Sequence, residues 1–136
     1  MATVTPFNWP VRVYYEDTDA GEVVYHSQYL NFMERARTEW LRHLGFEQAQ
    51  LKASLGVVFV VHSMQIQFKK SAKLDDLLTV SNQLITLGRS SFSCQQTIWR
   101  EQQILIEAQV KIACVDALTF KPMGMPAPIK HSMEST

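Results

Sequence analysis

The most informative segment of the sequence is Tyr15-Glu16-Asp17-Thr18-Asp19-Ala20-Gly21-Glu22-Val23-Val24-Tyr25-His26. It leads directly into an amphipathic segment from Ser27 to Leu44. The sequence therefore predicts an acidic loop followed by the N-terminus of a helix. The first backbone N–H groups of a helix lack partners within the helix, and the helix dipole favours negative charge at that end. A carboxylate and an anion-stabilising site can therefore share this loop.

The helix prediction rests on the spacing of apolar residues. They recur at intervals of three and four: Tyr29, Phe32, Met33, Ala36, Trp40, Leu41 and Leu44. This spacing places them on one face of a helix, and Gly45 is a natural stop. The segment from Phe46 to Leu55 predicts a second, short helical piece that ends at Gly56.

Beyond Gly56 the hydrophobic period falls to two, which indicates strands. The predicted strands are Met64–Phe68, Leu77–Leu87, Ser91–Trp99 and Ile104–Val115. The segments between them are short, so consecutive strands should pair as antiparallel hairpins. Weak alternation from Arg12 to Tyr15 predicts one earlier strand, which ends at the acidic loop.

One strand, one long helix and a run of antiparallel strands predict an α+β fold in which a single sheet wraps the helix. A chain of 136 residues is large enough for one such domain. We expect residues 1–136 to form that domain, with a core at about residues 9–120. The tail from Lys121 contains Pro122, Pro126 and Pro128 and is predicted to be irregular.

Charge and hydropathy argue against several classes of partner. Thirteen basic residues balance thirteen acidic ones, so nothing in the net charge attracts nucleic acid or an anionic membrane. The N-terminus lacks the pattern of a signal peptide, and the apolar run from Gly56 to Val61 is too short to span a bilayer. The sequence predicts a soluble, cytoplasmic protein without membrane insertion.

The motifs of metal and serine hydrolases do not occur in the sequence. Cys94 and Cys114 stand apart, without the spacing of a zinc site, and are predicted to be small core residues. The chain contains neither G-x-S-x-G nor H-E-x-x-H. No metal site and no cofactor are implied.

Several short motifs carry a family resemblance. They are Arg12-Val13, Thr18-Asp19, Val23-Val24-Tyr25-His26, Tyr29 and Glu34-Arg35-Ala36-Arg37-Thr38-Glu39. Together they resemble the 4-hydroxybenzoyl-CoA thioesterase family of hotdog-fold enzymes, and within it the bacterial acyl-CoA thioesterases encoded beside the Tol-Pal envelope system. The resemblance is specific over residues 11–45. It implies a hotdog fold, in which a curved, mainly antiparallel five-stranded sheet wraps one long central helix.

The chain departs from this family at one visible position. The family usually has a small residue, most often glycine, just before Val-Val, and this chain has Glu22. A larger, charged side chain there would narrow the acyl entrance or repel an acidic acyl group. The departure therefore concerns the range of substrates more than the reaction.

The resemblance assigns the catalytic carboxylate to Asp19, as a nucleophile or as a general base. A thiolate leaves readily, since a thiol has a pKa of about 8.5, so strong acid assistance is unnecessary. The remaining tasks are to direct a water or a carboxylate oxygen at the carbonyl carbon and to stabilise the oxyanion. Backbone N–H groups near His26, at the helix start, are predicted to perform the second task.

Other residues are predicted to contact substrate or to shape the loop. Tyr15 and Tyr25 either line the acyl pocket or pack on the helix. The family places CoA-nucleotide contacts at the turn that holds Arg89 and Ser91. Asp17 is predicted to shape the loop or support Asp19.

A further carboxylate, Glu34, lies on the predicted helix. Some hotdog thioesterases of another branch carry their catalytic acid on the helix. A solvated or interfacial ion pair is the favoured interpretation for Glu34.

Two other functions compete with acyl-CoA hydrolysis. One is a hotdog hydratase or dehydratase, although the spacing from Asp19 to His26 is too long for the Asp-x-x-x-x-His pattern of one such branch. The other is a non-catalytic module that binds acyl-CoA or acyl carrier protein.

The resemblance also implies a homo-oligomer, a dimer or a tetramer, with sites at subunit interfaces. Acyl carrier protein is a second candidate partner.

Overall fold

The computed structural model describes residues 6–20 and 22–136. Residues 1–5, on which the signal-peptide prediction rests, and Gly21 of the acidic loop lie outside these ranges. In chain order the elements are β1 (Phe7–Arg12), a short 3-10 helix (Tyr15–Asp17), α1 (His26–His43), α2 (Gln48–Leu55), β2 (Val57–Phe68), β3 (Leu77–Leu87), β4 (Ser91–Arg100), β5 (Gln103–Asp116) and α3 (Ala127–Glu134). No helix within the described ranges is long and apolar enough to cross a membrane.

The strands form one five-stranded sheet in the order β1-β3-β4-β5-β2. Every neighbouring pair is antiparallel. β1 and β2 are therefore the two edge strands of the described sheet. The predicted α+β class and the antiparallel hairpins are confirmed, and the sheet has the strand number that the resemblance implies.

α1 packs its apolar face against one face of this sheet. Its buried residues are Tyr29, Phe32, Met33, Ala36, Arg37, Trp40 and Leu41, which include almost all of the predicted stripe. The opposing sheet residues alternate along β4 and β5, as a pleated strand requires: Phe92, Cys94, Ile98, Ile106, Ala108, Val110, Ile112 and Cys114. Each large apolar side chain buried here contributes about 1.5–3 kcal/mol.

Both cysteines lie in this core, as predicted. Burial raises the pKa of the Cys94 thiol to about 12, and it also raises the pKa of Cys114. Both thiols are therefore protonated and unreactive at neutral pH.

The first strand was predicted too late in the chain. β1 ends at Arg12, and Tyr15–Asp17 forms a 3-10 turn instead of continuing a strand. The Asp17 carboxylate accepts a hydrogen bond from the backbone N–H of Tyr14 at 2.8 Å. The Tyr14 N–H therefore bonds to a side chain three residues ahead instead of to a neighbouring strand, and the chain turns at this point. Pro10 is tolerated in β1 because β1 is an edge strand.

The prediction of an irregular C-terminal tail was wrong. α3 occupies Ala127–Glu134, with Pro126 as its N-cap and Pro128 in its first turn. Proline is acceptable there because the first N–H groups of a helix have no partner within the helix. Ile129 and Met133, four positions apart, are buried in the core. The prolines start this helix instead of preventing it.

The acidic loop folds back as a tight hairpin. The Asp19 N–H donates to the Val23 carbonyl at 3.0 Å, and the Glu22 N–H donates to the Asp19 carbonyl at 3.0 Å. Glu22 has a φ of 65°, in the left-handed region that favours glycine. The family preference for glycine at this position therefore has a backbone reason, independent of substrate.

We expect Ile129→Ala to lower the free energy of unfolding by about 2–4 kcal/mol, because it empties a filled core position. Chemical denaturation followed by circular dichroism measures the change. His131→Ala, on the exposed side of α3, is the matched control and should stay within about 0.5 kcal/mol of the parent. Equal stability of the two variants would contradict the packing of α3.

We expect Glu22→Gly to raise the free energy of unfolding by about 0.5–1 kcal/mol. A side chain in the left-handed region costs about 1–2 kcal/mol, and the greater freedom of glycine in the unfolded chain offsets part of the gain. Glu16→Gly, in the same loop and without a positive φ, should instead lower stability. A loss of stability in Glu22→Gly would contradict the strain at this position.

Candidate active site

Asp19 lies in the hairpin that precedes α1, and it is exposed in the single subunit. Thr18 and Val24 pair across this hairpin as an isolated bridge. The loop therefore holds the Asp19 backbone through the contacts with Val23 and Glu22, and it presents the residue at the surface. This is the geometry expected of a carboxylate that meets an external substrate.

His26 is the first residue of α1, after the extended N-cap Tyr25. Its imidazole packs against the Phe68 ring at 4.8 Å between centroids. The side chain thus fixes the helix start on the end of β2, while the backbone N–H lies in the first turn, where helix geometry leaves donors available. The role of the His26 backbone N–H as an oxyanion donor stays a prediction, and its position in the first turn of α1 is compatible with that role.

Asp17 is a buried residue of this loop, only 3% exposed, and its polar atoms hold the loop through hydrogen bonds. Besides Tyr14, its carboxylate accepts a hydrogen bond from the Gln28 side chain at 2.6 Å, and its carbonyl accepts one from the Tyr25 N–H at 3.1 Å. Asp17 therefore ties the loop to the first turn of α1. Of the two roles proposed for it, the structure shows the loop-shaping one.

Sequence reasoning missed Gln28. This residue also accepts a hydrogen bond from the Asn31 side chain at 2.6 Å. Its position in the sequence could have predicted this contact, because the side chain of a glutamine at the third helical position typically bonds back to the residues before the helix.

Tyr29 anchors the other side of the hairpin. Its hydroxyl accepts a hydrogen bond from the Ala72 N–H at 2.9 Å, and the Ala72 carbonyl accepts one from the Val24 N–H at 2.9 Å. Burial raises the pKa of Tyr29, so the phenol stays protonated at neutral pH. The tyrosine thus links α1, the hairpin and the segment before β3.

Tyr15 and Tyr25 are not enclosed within one subunit. They are 82% and 58% exposed, respectively. The interpretation of these residues as helix packing is therefore wrong for Tyr15, which is almost fully accessible. Their contact with an acyl group stays a prediction.

Arg89 and Ser91 lie at the far end of β3 from the loop that carries Asp19. The Gly88 N–H donates to the Ser91 carbonyl at 2.7 Å and closes the β3–β4 turn. The hairpin that carries Asp19 lies near the start of β3, where Val23 pairs with Lys73. Eleven residues of β3 separate the two ends, about 36 Å at 3.3 Å per residue. One subunit therefore does not bring Asp19 and Arg89 together.

A cavity of about 280 Å³ lies between α1 and the β2 edge. Its lining is largely apolar, with two charged residues: Glu34, Arg37, Thr38, Trp40, Leu41, Gln48, Phe59, Val60, Val61, Phe92 and Ile112. Glu34 is exposed, and within the described residues it makes no ion pair within 4.0 Å. The ion pair favoured for it is therefore not present in the single subunit.

Arg37 is the charged residue that sequence reasoning overlooked at this cavity. Only 9% of it is exposed. Its Nη1 donates to Gln96 Oε1 at 2.9 Å, and Gln96 Nε2 donates to the Met33 carbonyl at 3.0 Å. Burial lowers the pKa of Arg37, and the nearby Glu34 opposes that effect. Arginine nevertheless stays charged at neutral pH.

Together, the loop and the helix start can perform acyl transfer to water. The loop carries an exposed carboxylate, and the N-terminus of α1 follows this loop directly in the chain. In the described part of the chain no cluster of three His, Cys, Asp or Glu side chains is arranged to hold a metal ion.

Comparison with known proteins identifies the family of this chain. The model of the thioesterase superfamily matches residues 21–107. The chain is 47% identical over 124 residues to "Acyl-CoA thioesterase YbgC" of Haemophilus influenzae, with 91% of each chain covered. It is 48% identical over 126 residues to "Acyl-CoA thioester hydrolase YbgC" of Escherichia coli O6:H1, covering 92% of this chain and 93% of that protein.

A solved structure extends the agreement to the whole fold. A probable thioesterase from Bartonella henselae is 36% identical and superposes with a TM-score of 0.86, covering 90% of this chain and 100% of the other. These likenesses confirm the resemblance carried by residues 11–45 and the hotdog fold that it implied. The chain belongs to the thioesterase superfamily.

Proposed function

We propose that this chain is an acyl-CoA thioesterase, which hydrolyses an acyl-CoA to the free acid and CoA. The observation that carries the proposal is the position of Asp19 in a hydrogen-bonded hairpin directly before the N-terminus of α1. Relatives named as acyl-CoA thioesterases that cover nine-tenths of the chain support the same reaction.

In the proposed mechanism Asp19 supplies the attack and the helix start stabilises the charge. Asp19 either takes a proton from water or attacks the carbonyl carbon itself to form an anhydride that water then opens. The C–S bond breaks, the electron pair leaves on the thiolate, and the oxygen of water ends in the acid. A backbone N–H directed at the oxyanion contributes about 3–4 kcal/mol in preorganised sites.

We expect Asp19→Asn to lower kcat by at least about a hundredfold, because asparagine keeps the shape of the side chain but neither accepts the proton nor attacks. Release of free thiol from a panel of acyl-CoA substrates measures the rate. Glu16→Gln, an exposed carboxylate of the same loop, is the control and should keep its activity. A comparable loss in Glu34→Gln alone would move the catalytic acid onto the helix.

The edge strand β2 supports a dimer. It is twelve residues long, and Val61, His62 and Ser63 at its centre are exposed. A long exposed edge is an aggregation hazard unless it is paired. We propose that two subunits pair their β2 strands antiparallel about a two-fold axis and extend the sheet.

Such pairing would complete the site from two subunits. It places the Phe68 end of one β2, on which His26 packs, beside the Val57 end of the other. Val60 and Ser91 both pair with Ala113, so Ser91 lies two strands away from the β2 edge, about 10 Å. The turn with Arg89 of one subunit would thus approach the catalytic loop of the other, where a guanidinium can bind CoA phosphates.

We propose further that the dimer doubles to a tetramer and that the protein works in the cytoplasm beside the Tol-Pal system. Acyl carrier protein thioesters are a second form of substrate consistent with the same chemistry. A tetramer is the assembly implied by the family resemblance. Light scattering distinguishes a dimer from a tetramer.

We expect Asp19→Asn and Arg89→Glu subunits to complement each other. A mixed dimer would have one site with both changes and one with neither, so random assortment restores about a quarter of all sites. Differently tagged subunits, co-expressed and assayed well below KM, give the measurement. Each variant expressed alone is the control. A mixture no more active than the mean of the two variants would contradict a shared site.

A further inference from the structure

The cavity between α1 and β2 contains an unusual group, the nearly buried guanidinium of Arg37. A guanidinium carries five N–H donors. Among the described residues, the only hydrogen-bond acceptor of Arg37 is Gln96 Oε1. Gln96 is itself held by the Met33 carbonyl, so it fixes one edge of the guanidinium. Arg37 lines the cavity. None of its nitrogens is both fully buried and without a hydrogen-bond partner. The remaining donors are therefore accessible from the cavity.

The charge of Arg37 is also not neutralised locally. No carboxylate of the described residues lies within 4.0 Å of it. Glu34 lines the same cavity but is exposed, so water screens its charge more than that of Arg37. Burying a cation without a neighbouring negative charge is unfavourable, and a planar fork of donors suits an oxygen ligand.

The position of the cavity relates it to the proposed reaction. His26 and Arg37 are separated by about 16 Å along α1 at 1.5 Å per residue, too far for a small acyl group bound at the same subunit's loop. Phe59 and Val61 of β2 line the cavity. In the proposed dimer this part of β2 lies beside the partner subunit's Phe68 and therefore beside the partner subunit's catalytic loop.

We propose that this cavity is the acyl site and that Arg37 makes it select small acyl groups that carry a second oxygen acceptor, a carbonyl or a carboxylate, beyond the thioester. The inference rests on the proposed thioesterase function and specifies its substrate class. A volume of about 280 Å³ is at the small end for ligand pockets. Arg37 acts here as a specificity-determining residue, remote from the bond that breaks.

Three acyl groups of nearly equal shape test the proposal. 4-Oxopentanoyl-CoA presents a ketone, succinyl-CoA presents a carboxylate, and 4-methylpentanoyl-CoA presents a branched alkyl group at the same position. A second set, one carbon longer, consists of 5-oxohexanoyl-, glutaryl- and 5-methylhexanoyl-CoA. The ketone measures hydrogen bonding alone, and the difference between carboxylate and ketone measures the added charge.

We expect at least one oxygen-bearing group to exceed its alkyl match in kcat/KM by about tenfold, as for a hydrogen bond to a charged donor. Arg37→Met should abolish that preference. Because the ratio compares two substrates in one enzyme sample, it does not depend on the folded fraction. If Arg37→Met fails to fold, Arg37→Lys carries the test. Its compact ammonium lacks the planar fork, so the preference should fall severalfold.

Arg35→Met is the matched control. Arg35 lies on the exposed side of the same helix, with its guanidinium 5.9 Å from the centre of the Phe32 ring, and should not change the ratio. Alkyl substrates that react as fast as both oxygen-bearing ones in the parent, or a ratio unchanged in Arg37→Met, would overturn the inference while leaving the thioesterase function intact. No hydrolysis of any acyl-CoA would overturn the function itself and the inference with it.

Discussion

The contact between the apolar face of α1 and one face of the sheet is the constraint on which the rest of this structure depends. It buries the side chains of one helix stripe against alternating residues of the central strands. The helix start then lies over the end of β2, where His26 meets Phe68. The loop that carries Asp19 takes its position from this helix start, so packing in the core determines where that carboxylate lies at the surface.

Two buried polar side chains hold the described residues around this loop against α1. Asp17 ties the 3-10 turn to Gln28 and Tyr25, and Tyr29 ties the helix to Ala72. Asp19 lies between these two residues in the chain. The carboxylate proposed to be catalytic is thus supported by buried groups, which would lower the reorganisation needed when negative charge develops.

The single subunit contains only part of the proposed machinery. β3 separates Asp19 from Arg89 along its whole length, and the cavity at Arg37 opens beside an edge strand. The separation of Asp19 from Arg89 has a geometric reason, since the consecutive turns of an antiparallel sheet lie at opposite ends of its strands. A second subunit on β2 would bring opposite ends together. Association is therefore part of the proposed function as well as protection for the edge.

The sequence by itself determined the long helix, the antiparallel strands, the family and the position of Asp19, because these follow from periodicity and from motifs contiguous in the chain. It did not determine the helical tail, since burial of Ile129 and Met133 overrides the local signal of three prolines. The partnership of Arg37 with Gln96, 59 positions apart, was equally invisible. Only the tertiary structure decides such contacts, because they depend on which distant residues the sheet brings beneath the helix.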